Sequence, residues 1–254
     1  MRWNAWAGLL VTAALTACGN DPEGPARPQA TVTSASGAAN LAAKVEAFRT
    51  ALGTLNGGTD GQQSSGRREI NWDGAVANPF NNRDDFPGDF FNSNVKAGAT
   101  FTTAGTGFRN DSTLFSDVNP AYARQFAFFS ANKIFSPVGS NQLDQVFRVA
   151  GHPTPATVRG FGVVFSDVDV AEKTTVQLFA SDGSSLGTFA APIRGDAAGL
   201  SFISVLFDEP IIARARITLG TGALGAGVND ISAGGSTDVV VIDNVIYGEP
   251  TSAF

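Results

Sequence analysis

The residues that could do chemistry in this chain are chiefly carboxylates. Glu69 and Asp73 lie in "REINWDG", and two acids flanking a sugar are the minimum for glycoside hydrolysis. If that stretch is a strand, Arg67, Glu69, Asn71 and Asp73 share one face, while Arg68, Ile70 and Trp72 share the other. The acidic face fits a ligand cleft or a solvated edge, and Trp72 is a candidate stacking surface. Asp167 and Asp169 stand two apart in "FSDVD", on one face if the strand continues through them. Asp243 interrupts the apolar run "DVVVIDNVIY", where a carboxylate must be paired, protonated or bound to a cation. Arg67, Arg68 and Arg159 are candidate partners for it. A calcium ion held by Asp167, Asp169 and Asp243, with backbone carbonyls nearby, is the alternative.

Other chemistries are poorly supplied. The one histidine, His152, sits in the proline-flanked "AGHPTP", which reads as a loop. A single histidine excludes a zinc site of several imidazoles and any H-E-x-x-H helix. No G-x-S-x-G elbow presents a serine. The glycine-rich "GTGALGAGVND" lacks the lysine of a phosphate loop and reads as turns. In "ARARITL", Ala213, Ala215, Ile217 and Leu219 take one face, leaving Arg214 and Arg216 outward. Those arginines are either paired with acids on a neighbouring strand or form a cationic spot for an acidic glycan.

The one cysteine, Cys18, closes the only long apolar run, "WAGLLVTAALTACGN". Arg2, the apolar stretch and small residues have the layout of a secretory signal peptide over residues 1–17. Leu15-Thr16-Ala17-Cys18 resembles the lipobox of bacterial lipoproteins, in which the cysteine carries acyl chains. That resemblance implies a membrane anchor at Cys18, and Gly19 rather than Asp after it implies the outer membrane. Each buried CH₂ contributes ~0.8 kcal/mol, so several chains hold a protein at a bilayer essentially permanently. Removing residues 1–17 leaves 16 Lys and Arg against 23 Asp and Glu, a net charge of −7. With no basic stripe to neutralise phosphates, nucleic acid is excluded as a partner.

The elements that position these residues read as mainly β. Residues 18–39 look like a flexible linker, rich in Pro, Gly, Ser and Thr, of roughly 25 Å average span. Within residues 40–66, "NLAAKVEAFRTALG" places Leu41, Val45, Phe48 and Leu52 on one helical face, with Asn40 as cap. Loose sequence follows, so this helix is expected to be peripheral. From 67 to 250 the apolar content comes in short runs bounded by turns. These are "TVRGFGVVF", the hairpin "TTVQLFA"–"SDGSS"–"SLGTFAA", "LSFISVLF", "ARARITLG" and "DVVVIDNVIY". They predict an antiparallel β-sandwich or jelly roll with a short N-terminal helix. In the last run Val240, Ile242 and Ile246 are expected on one face, with Val239, Val241, Val245 and Tyr247 on the other.

The set "RREINWDG", "DFFN", "GTGF", "VRGFGVVFSDVD", "GLSFISVLF", "RARITLG" and "DVVVIDNVIYGEP" resembles exported bacterial β-sandwich proteins of unknown function, similar to those with envelope-sorting tails. The resemblance covers residues 45–250, implies export and a β-sandwich, and supplies no catalytic residue. The functional expectation is a lipid-anchored extracytoplasmic module that binds an envelope component or polysaccharide without catalysis. A carbohydrate-active enzyme using Glu69 and Asp73 is the alternative.

Overall fold

The computed structural model describes residues 28–74, 79–196 and 198–253. Cys18 and the expected signal peptide lie outside the described residues. In chain order the elements are β1 (Thr31–Ser36), α1 (Ala38–Leu52), β2 (Arg67–Ile70), the single-turn α2 (Phe90–Ser93), β3 (Ala99–Thr103), β4 (Gly107–Asp111), β5 (Ile134–Val138) and β6 (Gln142–Phe147). They continue with β7 (Ala156–Thr157), β8 (Gly160–Ser166), β9 (Thr175–Phe179), β10 (Ser185–Ala190), β11 (Leu200–Leu206), β12 (Arg214–Thr218), β13 (Val241–Gly248) and β14 (Thr251–Ser252). No helix among the described residues is long and apolar enough to cross a membrane.

Two antiparallel sheets make a β-sandwich, as the strand pattern predicts. One has the order β10-β9-β12-β6-β3, and the other β1-β11-β8-β13-β5-β4 with β2 also paired to β13. The first sheet alternates cleanly. Val176 and Leu178 of β9, Ala215 and Ile217 of β12, and Leu143, Gln145 and Phe147 of β6 are buried, while the residues alternating with them are half-buried or exposed. That is the pattern of a sheet packed on one face only. In the second sheet β8 and β13 are buried along their whole length, because both faces are covered. The inner face meets the core between the sheets, where Trp72 stacks on Phe135 at 3.9 Å among Phe101, Phe147, Phe161 and Phe165.

The outer face is covered in part by α1. Leu41, Val45, Phe48 and Leu52 pack on Val164, Phe202 and Ile246. Gly160 and Gly162 of β8 lie beneath that helix. A Cβ at Gly160 would stand 2.8 Å from Leu52, and one at Gly162 2.8 Å from Phe48, so the close approach depends on glycine. The helix is therefore part of the core, not the peripheral element expected. Its cap is Gly37 at φ 83, with Asn40 already inside the first turn.

Two further expectations are corrected. Residues 31–36, read as linker, form β1 and pair with β11 from Thr31↔Leu206 to Ser36↔Ser201. "TVTSAS" is β-branched enough to add an edge strand despite its Pro- and Gly-rich surroundings. The alternation of β13 also breaks. A bulge between Ile242 and Val245 shifts the register, so Val240, Ile242, Val245 and Tyr247 all join the core between the sheets. Ile246 faces α1 instead. One inserted residue reverses the face of everything after it.

Candidate metal centre and neighbouring carboxylates

Four aspartates converge where β8 ends and β13 begins. The β8 ladder stops at Ser166, and Asp167 follows in the left-handed region at φ 71, its N–H donating to the Gly199 carbonyl at 2.8 Å. Val168 then drops into the core. Asp167 and Asp169 are thus brought together by a turn, not by the strand face expected. Asp230 comes from the glycine-rich tract. It caps the 3-10 turn Ile231–Ala233 by accepting from the Ser232 N–H at 2.7 Å, and it accepts from the Val239 N–H at 2.6 Å. Asp238, just before β13, accepts from the N–H groups of Asp169 at 3.3 Å and Val170 at 3.2 Å.

Carboxylate oxygens of Asp167, Asp169 and Asp230 all lie within 4.8 Å of one another. Asp167, Asp230 and Asp238 are fully buried. The Gln125 side-chain amide donates to Asp167 Oδ2 and, at 2.6 Å, to Ser232 Oγ. Asp167 Oδ1 and Asp169 Oδ1 are buried with no hydrogen-bond partner among the described residues. No lysine or arginine among them forms an ion pair with any of the four. Burial, then the surrounding aspartates, pushes Asp167 up to about 8 even against its hydrogen bond from Gln125. Burial and the neighbouring Asp230 and Asp238 raise Asp169 to about 6, and burial raises Asp238 to about 6. A cleft of about 440 Å³, lined by Ala121, Arg124, Gln125, Asn229, Ser232 and Ala233, adjoins this cluster through Gln125 and Ser232.

Asp243 does not belong to it. On the β13 bulge, Asp243 accepts from the Phe129 N–H at 2.6 Å and from Ser130 Oγ at 2.9 Å, so its carboxylate closes the 129–130 loop. Burial, with a contribution from Asp73, raises it to about 7. The candidate arginines are engaged elsewhere. Arg68 pairs with Glu249, Arg67 donates to the Gly53 carbonyl, and Arg159 donates to the Ala51 carbonyl. Backbone N–H groups serve Asp243 in place of the expected arginine.

The other candidates are likewise tied into the structure. Glu69 receives Nε of Arg49 at 3.0 Å and Nδ2 of Asn244 at 2.8 Å. Asp73 accepts from the N–H groups of Ala131 at 3.0 Å and Asn132 at 2.7 Å. Trp72 is 1% exposed, with its indole N–H donated to the Asp243 carbonyl, so it is a core residue and not a stacking surface for a ligand. Arg214 and Arg216 both reach Asp144 on β6, each at 2.8 Å, and Arg214 lies over the Phe179 ring at 3.7 Å. His152 is exposed on a turn, with Nε2 at 3.5 Å from Asp60.

Sequence reasoning missed Asp230 and Asp238. The available signal was slight: an Asx-type cap in "NDIS" and an acid directly before an apolar run. No protein-family model matches the chain, and no curated protein matches it either.

Proposed function

We propose that this chain is an exported, lipid-anchored β-sandwich module of the bacterial cell envelope, with a non-enzymatic binding or structural role toward an envelope polysaccharide. The observation that carries the reading is the Leu15–Cys18 lipobox at the end of a signal-type apolar run. The engagement of Glu69 by Arg49 and of Asp73 by two backbone N–H groups favours binding over glycoside hydrolysis, because both acids already have structural partners. The outer face of the five-stranded sheet offers a surface of suitable chemistry. Two arginines there share the single carboxylate of Asp144, which leaves one positive charge for an acidic glycan. Since β1 begins at Thr31, the stretch read as linker over residues 18–39 is cut back at its C-terminal end. Cys18→Ser should move the protein from the detergent phase to the aqueous phase in a partitioning assay. Equal partitioning of variant and wild type would remove the anchor.

A further inference from the structure

We propose that Asp167, Asp169 and Asp230 bind one calcium ion, which ties the turn after β8 to the turn before β13. The three carboxylates reach within 4.8 Å of one another from segments about sixty residues apart in sequence. Oxygens bound to calcium at about 2.3–2.6 Å lie no more than about 5 Å apart, so the set already has the compactness of a single coordination sphere.

Independent of the clustering, Asp167 is fully buried and its Oδ1 has no donor. Buried polar groups are nearly always satisfied, so a buried carboxyl oxygen without a donor calls for a partner. Asp169 Oδ1 is in the same condition. Elsewhere in the molecule buried carboxylates are provided for: Asp243 has two N–H donors and a hydroxyl, and Glu249 has Arg68.

The donors here are all oxygens, with neither thiolate nor imidazole. That set suits a hard cation and disfavours zinc or copper. Ser232 Oγ, beside Gln125, stands at the edge of the site, and waters from the adjoining cleft can complete a sphere of six to eight oxygens. Arg124 lines the same cleft without forming an ion pair to the three acids. Asp238 acts one step removed. By accepting from the N–H groups of residues 169 and 170, it holds the Asp169 turn in place.

The test uses the full chain in detergent, stripped with chelator and then returned to calcium or magnesium. With calcium a hundredfold above its Kd, the wild-type melting temperature should rise by about 5–10 °C. Asp167→Asn and Asp230→Asn should show no calcium response, and in chelator Asp167→Asn should melt at or above wild type, because Gln125 still meets an acceptor oxygen and one acid has left the cluster. Equilibrium dialysis should find one calcium per wild-type chain, with affinity reduced at least about tenfold in each variant. Absence of bound calcium in wild type would overturn the proposal, as would equal binding by the two variants. Equal stabilisation by magnesium would overturn the assignment to calcium.

Discussion

Two buried charged regions of this molecule solve the same problem in opposite ways. At one, Arg68 and Glu249, 181 residues apart, meet in a pair 0% and 3% exposed, with two contacts of 2.6 Å. The remaining guanidinium protons go to the carbonyls of Gly57, Thr59, Gly61 and Lys96. The tract 54–66, whose composition reads as loose, is in fact a cage of carbonyls around an arginine. At the other, Asp167, Asp169, Asp230 and Asp238 are gathered with no ion-pairing cation among the described residues and two orphaned oxygens. Where the chain supplies both signs, the structure closes on itself. Where it supplies one sign, two buried oxygens are left without a donor among the described residues.

The largest effect should come from breaking the closed region. Arg68→Met leaves Glu249 buried and unpaired and should cost about 3–5 kcal/mol by denaturant titration, whereas Arg68→Met with Glu249→Leu should recover much of that. Equal losses in single and double variants would show that packing, not charge, holds this corner.

Asp243 is the intermediate case, a buried acid served by neutral donors, and its titration sharpens the contrast. Its folded-state pKa of about 7 lies above the ordinary carboxylate value, so the folded protein holds the proton more tightly than the unfolded chain. The stability it contributes is fully present below about pH 4 and is lost as pH rises through about 7. Between pH 5 and pH 8, wild type should therefore lose about 2–3 kcal/mol more than Asp243→Asn. Parallel pH profiles would mean that the N–H donors of residues 129 and 130 keep Asp243 ionised throughout. Asp73, the charged neighbour that raises Asp243, is unchanged in both proteins.

The smallest effect concerns a neutral orphan. Gln145 on β6 is fully buried with both amide atoms unpartnered. Gln145 carries no charge and its loss would strand no partner, so Gln145→Leu should be neutral or stabilising by about 1 kcal/mol. A loss of more than about 1 kcal/mol would point to a water bound there.

Most of the sandwich was legible because its strands obey a period of two in Val, Ile and Phe. β8, β11, β12 and the β9–β10 hairpin fall where the pattern puts them. β1 was hidden because polar β-branched residues on an edge strand resemble linker composition. The faces of β13 were misread after Asp243, since a bulge leaves no mark in apolar periodicity. Half of the acidic cluster was legible, Asp167 and Asp169 being close in sequence. Asp230 joins them only because β8 and β13 are neighbours in the sheet, a pairing that local sequence does not encode.

The most direct measurement is anomalous diffraction from crystals of the protein grown with calcium. One peak about 2.3–2.6 Å from carboxylate oxygens of Asp167, Asp169 and Asp230 is the predicted result. A map without such a peak, the three carboxylates sharing protons among themselves, would contradict the account.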